Sequence, residues 1–292
     1  MSFMETCKGF VRRLEMNFKI VTDSSSNIFE ISDVPFECVP MKIISQSKEY
    51  VDVSDLDVEN MVLELKKQTA STSSSCPNIK EWLDAFGNAD GIFGVTITSK
   101  LSGSYSSAIS AKDEYIKLNE DAKVCIIDSL STGPEMQLLI EKLRERILAG
   151  ESFDVIERKI KKYHEHTHLM FYLKSLDNLA KNGRVNATIA KLVGILGICF
   201  VGKAGDGVLV QTHKCRGEVK TIKALYEDMK KTGYNGGKVR ISHCMNLKGA
   251  ELLKGWITDE FPNSDIQIGE CKGLCSYYAE MGGILVGFED SI

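Results

Sequence analysis

Apolar positions in the first half of the chain alternate between strand-like runs and helix-like spacing. Residues 18–21, Phe-Lys-Ile-Val, and residues 39–44 read as strands. Residues 55–68 carry the helical period and open behind Ser54, whose hydroxyl can cap a first turn. After Pro77, residues 79–86 read as a short amphipathic helix. A strand over 91–97, a helix over 104–118, a strand over 123–127 and a helix over 135–148 follow, and then a charged surface helix over 151–166. This alternation predicts a mainly parallel sheet covered by helices.

The second half reads differently. Residues 169–173 form a strand, and 175–200 carry a helical pattern with two glycine breaks. Strands are expected over 208–212, 238–243, 265–270 and 284–288, with helices over 219–231 and 248–261. Gly205-Asp206-Gly207 reads as a hairpin turn. Two domains are expected: an α/β domain over 18–165 and an α+β domain over 166–292. Residues 1–16 precede the first strand as an extension.

Composition narrows the class of function. With 43% hydrophobic and 26% charged residues, this is an ordinary globular chain. A net charge of −4 gives no electrostatic reason to expect nucleic acid or an anionic membrane. The nine cysteines are scattered, and residues 1–17 have no apolar core of a secretory leader, so a reduced, cytoplasmic protein is expected. The longest apolar run, 192–201, is too short to span a bilayer.

Four hydroxyl-rich turns stand out. The stretch TITSKLSGSYSSA (96–108) follows an apolar strand and surrounds the single Gly103. Such hydroxyls suit a helix cap, an anion cradle or a serine nucleophile. Thr22-Asp23-Ser24-Ser25-Ser26 and Asp128-Ser129 end other strands, and Thr72-Ser73-Ser74-Ser75-Cys76-Pro77 precedes a helix. Ligands of open parallel sheets bind at the carboxyl ends of the strands. Three of these turns should therefore gather at one sheet edge, with 72–77 nearby, as a polar head-group pocket.

Other chemistry is less supported. His164-Glu165-His166-Thr167-His168 formally matches HExxH, but it closes a charged helix and runs into a strand, so no metal is expected. Cys271 and Cys275 have no second pair to complete a zinc site. No phosphate-binding glycine motif is present. Ser102 lies between Leu101 and Gly103 rather than in a GxSxG elbow. A serine hydrolase or acyltransferase acting through Ser102 on an acyl substrate is the alternative reading.

The segments IVTDSSSNI (20–28), TSSSCP (72–77), SKLSGSYSSA (99–108), IIDS (126–129) and LDNLAKNGRVN (176–186) together resemble the DegV family of fatty-acid-binding proteins. SKLSGSYSSA is the most specific of them, and the resemblance covers nearly everything after Asn17. It implies two domains enclosing a long-chain fatty acid in a tunnel, with hydroxyls on its carboxylate and no other cofactor. It also implies a fatty acid kinase partner that phosphorylates the presented carboxylate to an acyl phosphate. Carried over by position, the carboxylate falls to Thr72 and Ser102, with Tyr278 where the family has histidine. Tyrosine donates a hydrogen bond but carries no positive charge. Ser73, Gly103, Ser129 and Arg184 are expected at the pocket or the partner surface, Arg184 in a turn whose first glycine is here Asn182. Ser104 and its neighbours would then cap the following helix, and Gly103 would let backbone and ligand approach. Residues 189–201 read equally as tunnel wall or core helix.

Overall fold

The computed structural model describes residues 16–68, 70–186 and 198–290. The chain begins β1 (Phe18–Asp23), a single 3-10 turn (Ser24–Ser26), β2 (Phe36–Val39), β3 (Lys42–Ile44), β4 (Glu49–Val51), α1 (Val58–Lys67) and β5 (Ser73–Ser75). It continues α2 (Ile79–Phe86), β6 (Gly91–Thr96), α3 (Ser104–Leu118), β7 (Lys123–Asp128), α4 (Pro134–Leu148), α5 (Phe153–His164) and β8 (Thr167–Leu173). After α6 (Asp177–Lys181) come β9 (Ile198–Gly205), β10 (Val208–Arg216), α7 (Glu218–Lys231) and β11 (Val239–His243). The last elements are α8 (Leu247–Glu260), β12 (Ile266–Glu270), α9 (Gly273–Ala279) and β13 (Ile284–Glu289).

The apolar runs of the first half become a parallel sheet in the order β2-β1-β6-β7. Its strands read as near-continuous hydrophobic runs because helices cover both faces. On one face Phe93 stacks on Phe153 of α5 at 4.5 Å, within a core that includes Met136 and Leu139 of α4. On the other, Ile92 and Val124 meet Trp82 and Phe86 of α2 and Ala108 of α3.

The second half builds a mixed sheet in the order β10-β9-β8-β13-β11-β12. Alternation along β8 sorts its side chains between two environments. Met170 and Tyr172 enter the core under α7 and α8, whereas Leu169, Phe171 and Leu173 face the opposite side, towards the first half. Helix α4 lies between the sheets and packs on β1 and β6 as well as on β8, β11 and β13. Its first turn comes so close to β13 that a Cβ at Gly287 would sit 2.4 Å from the Pro134 carbonyl carbon. Arg240 of β11, 3% exposed, grips Glu141 of α4 through Nε (2.6 Å) and Nη2 (2.7 Å).

The structure corrects several expected boundaries. Residues 39–44 are not one strand: Pro40 has no N–H for a ladder, and the chain leaves the parallel sheet there. It then enters a small antiparallel sheet, β4-β3-β5. Helix α1 is capped by Asp57, which accepts from the Asn60 N–H at 3.0 Å, and not by Ser54. The expected helix over 175–200 ends at Lys181, where Gly183 turns left-handed at φ 69°. From Ile198 the chain is strand, paired with β8 and β10; 187–197 lie outside the described residues. The hairpin over 205–207 stands as expected, with Asp206 and Gly207 both at positive φ. No helix among the described residues is long and apolar enough to cross a membrane.

Candidate functional site

The carboxyl ends of β1, β6 and β7 lie side by side, and their polar residues bond largely to one another. Asp23, fully buried, accepts from the Ile97 N–H (3.0 Å), the Ser104 hydroxyl (2.6 Å) and the Ser25 N–H and hydroxyl. Burial raises its carboxyl above the usual range, and these donors oppose the rise. Ser24 donates to Asp52 at 2.8 Å and accepts from the Met41 N–H at 2.9 Å. Asp52 also accepts from the N–H groups of Gly273 (2.7 Å) and Leu274 (2.9 Å), the first residues of α9. Burial pushes the Asp52 carboxyl up to about 6 against those bonds. Asn27 reaches Ser242 of β11 and the Lys272 N–H. The first hydroxyl-rich turn is thus a clasp that ties α9 and the mixed sheet to the parallel sheet.

A cavity of about 290 Å³ opens between the two sheets. Leu169, Phe171, Leu173 and Leu285 form its floor on the mixed sheet, and Ile97, Leu101 and Leu130 face them from the parallel-sheet side. Its polar lining comprises Ser74, Ser75, Thr98, Ser102, Ser131, Thr132, Arg184 and Tyr278. The Tyr278 hydroxyl lies 2.7 Å from Ser74 Oγ. Burial raises the Tyr278 phenol above its ordinary value, while the Ser74 bond and the nearby Arg184 charge pull it down. Arg184 donates from Nε to the Leu101 carbonyl at 3.1 Å and from Nη1 to the Asn182 carbonyl. Among the described residues no carboxylate pairs with Arg184, and it is the one charged side chain in the described lining. A mostly apolar chamber with a few convergent polar groups suits a long apolar ligand with a charged head.

Of the residues singled out in the sequence, Ser102, Gly103, Arg184 and Tyr278 line this cavity. Thr72 and Ser73 do not. The buried Thr72 hydroxyl pairs with the Tyr277 hydroxyl at 2.8 Å, which also accepts from Asn182 Nδ2 at 2.9 Å. Two residues on, Ser74 makes the corresponding bond to Tyr278 and faces the chamber. Thr72 precedes β5, and nothing in the run Thr-Ser-Ser-Ser says that its last two residues, Ser74 and Ser75, are the ones that line the cavity. Ser129 is buried away from the chamber, its hydroxyl donating to the Ser131 carbonyl at 3.1 Å.

The expected division of labour between Ser102 and Ser104 is corrected. Ser104 does not cap α3: its own hydroxyl goes to Asp23, and its N–H donates to Ser102 Oγ at 3.3 Å. Ser102 therefore satisfies the helix start and lines the cavity together. At Gly103 an added Cβ would lie 3.2 Å from Cys76 Sγ, so the close approach there is made by Cys76. Of the expected wall 189–201, residues 189–197 lie outside the described residues, and 198–201 run along β9 without lining the chamber.

The metal and nucleophile motifs find other partners. His164 closes α5 and bonds the Ser129 carbonyl (2.8 Å), whereas His166 and His168 share Asp290 at 2.8 and 2.9 Å. The two motif histidines thus do not share a helix face. Among the described residues no group of His, Cys, Asp and Glu is placed to hold a metal ion. Cys275 donates to the Ser25 carbonyl at 3.2 Å, and burial pushes its thiol up to about 12. The remaining histidines pair with Asp228 (His213) and with the Asn246 N–H (His243). The partners of all five histidines are thus other than Ser102.

Comparison with known proteins follows this geometry. The family model described as "Uncharacterised protein, DegV family" matches residues 17–289. A DegV domain-containing protein of Streptococcus pyogenes serotype M1 is 40% identical over 279 residues, covering 94% of this chain and 100% of that one. The crystal structure of the Streptococcus pneumoniae Fatty Acid Kinase (Fak) B3 protein loaded with linoleic acid is similar at 40% identity and a TM-score of 0.93, covering 94% of this chain and 100% of that one. A DegV family protein from Eubacterium eligens loaded with heptadecanoic acid is similar at 39% identity and a TM-score of 0.92, with the same coverage.

Proposed function

Because this chain belongs to the DegV family, we propose that it binds one long-chain fatty acid in the cavity between its sheets and presents the carboxylate to a bacterial fatty acid kinase. The observation that carries this reading is a chamber lined mainly by apolar side chains, in which Tyr278 bonds Ser74 and has the Arg184 charge near it, and Arg184 holds the carbonyl of Leu101, the residue before Ser102. Burying about ten methylenes at ~0.8 kcal/mol each is worth on the order of 8 kcal/mol before the costs of binding. The acyl chain thus supplies most of the affinity.

The head group supplies orientation. Ser102 Oγ already accepts from the Ser104 N–H, so its own proton is available to a carboxylate. Tyr278, held protonated by burial, donates as well, and Arg184 contributes the charge. The chain works in the cytoplasm as a carrier: the kinase forms the acyl phosphate, and these side chains only hold and aim the carboxylate. Native mass spectrometry of the purified protein, with extraction of its ligand, tests this. One C14–C18 acid per chain is expected; a protein that carries no lipid and shows no saturable binding of such acids would overturn it.

A further inference from the structure

The register of the β9–β10 hairpin sets Cys199 directly opposite Cys215. Among the described residues, no other two cysteines face each other across a strand ladder. Directly opposed residues of an antiparallel pair share a face, with Cα atoms about 4.5 or 5.5 Å apart. Both spacings lie within the range of about 4.4–6.8 Å that a disulfide bridges. Opposed Cβ atoms, at about 4.5–5.5 Å, need to close by only about 1 Å. Both residues are thiols in the structure. Cys199 is buried in the core beneath α7, its Sγ 3.7 Å from the Tyr172 hydroxyl. Cys215 is half-buried on the edge strand, where a small oxidant meets it first.

We infer that Cys199 and Cys215 are a redox-sensitive pair that closes into a cross-strand disulfide and staples the hairpin forming one side of the cavity. The oxidant is a small-molecule disulfide. The Cys215 thiolate attacks one of its sulfurs and expels the first small thiolate, which takes up a proton. The Cys199 thiolate then attacks the Cys215 sulfur of the mixed disulfide, expelling the second small thiolate, which is protonated in turn. Two protein thiols are oxidised to one disulfide, and one small disulfide is reduced to two thiols. Burial, with Cys199 and Asp228 alongside, holds the Cys215 thiol above its ordinary range. A smaller share of Cys215 is therefore thiolate at neutral pH, which slows the first step.

The position of the staple matters to the chamber. Ala204 of β9 and Leu209 of β10 line it, and the hairpin tip is pinned to the parallel-sheet side by the Thr98 hydroxyl, 2.8 Å from the Gly207 carbonyl oxygen. A bond between 199 and 215 would fix the hairpin at its other end.

The test is a redox titration of the full chain in oxidised and reduced glutathione, read by proteolytic mapping and hydrogen exchange. A cross-linked 199–215 peptide is expected, reversed by dithiothreitol and absent from Cys215→Ser. Exchange of the hairpin amides should slow tenfold or more in the oxidised form. Glutathione remaining as an adduct on Cys215 without a cross-link would overturn the inference, and so would a cross-link that leaves hairpin exchange unchanged. Should Cys215→Ser fail to fold, Cys215→Ala and the dithiothreitol reversal in the wild type carry the same comparison. Neither readout needs a bound acyl chain, so the outcome is independent of the ligand reading.

Discussion

Replacing Ser74 with alanine separates the two serine- and threonine-to-tyrosine bonds that hold α9 against β5. In the structure the Ser74 hydroxyl lies 2.7 Å from Tyr278 and faces the chamber, whereas Thr72 lies 2.8 Å from Tyr277 and does not. Ser74→Ala deletes one donor to an incoming carboxylate. A hydrogen bond to a charged group is worth about 1.5–3 kcal/mol, so fatty-acid affinity should fall by about ten- to a hundredfold. Tyr278 sits beside the chamber and keeps access to the ligand, so stability of the lipid-free protein should change little. Thr72→Ala should do the opposite. Asn182 Nδ2 still donates to the Tyr277 hydroxyl at 2.9 Å, so the loss is one buried bond, about 1 kcal/mol of stability, with affinity nearly unchanged. Displacement of a fluorescent acyl probe measures the first quantity, and urea unfolding of delipidated protein the second. If Thr72→Ala weakens binding as much as Ser74→Ala, the head group lies elsewhere. If a Ser74→Ala, Ser102→Ala double variant binds normally, the assignment of this polar end is wrong.

Further outcomes follow from the clasp and the packing. Ser104→Ala removes a donor to the buried Asp23 and should cost about 1–3 kcal/mol in urea unfolding; a loss of only a few tenths would mean that this bond contributes little. Asp52, with a folded-state value near 6 against 3.8 for the free group, binds its proton more tightly folded than unfolded. Its contribution to stability therefore rises as pH falls from about 6 to about 4 and is flat above 6. The stability of the wild type relative to Asp52→Asn should grow on acidification by up to about 3 kcal/mol, and parallel pH profiles would refute this. Gly287→Ala should destabilise by about 1–3 kcal/mol, because the added methyl meets the Pro134 backbone rather than a side chain that can swing away. An unchanged denaturation midpoint would show that α4 and β13 can separate at little cost.

The parallel sheet was legible because its strands are buried on both faces and its helices keep their period. Both signals survive in a single sequence. The β4-β3-β5 sheet was not: Ser73–Ser75 has no apolar pattern, and its pairing with Ile43 depends on contacts distant in the chain. At the site, the position of SKLSGSYSSA was readable, and Ser102 lines the chamber there. What each hydroxyl faces was not. Ser24, Ser25 and Ser104 could serve a ligand anion or a protein carboxylate equally well by sequence. Asp23 and Asp52 claim them only because the fold buries both acids. Arg184 and Tyr278 lie far apart in sequence, and only the packing of α9 against the turn after α6 brings them together.

Strand β8 separates two kinds of mutational freedom by parity. Positions 170 and 172 are committed to the core beneath α7 and α8, so changes there are felt as lost stability. Positions 169, 171 and 173 line the cavity while also packing in the buried cluster on that side, so a change there alters the room left for a ligand as well as the packing. Drift at the odd positions thus reshapes the cavity, whereas drift at the even positions is felt in the scaffold alone. A one-residue insertion in this strand would exchange the two sets and damage both properties at once.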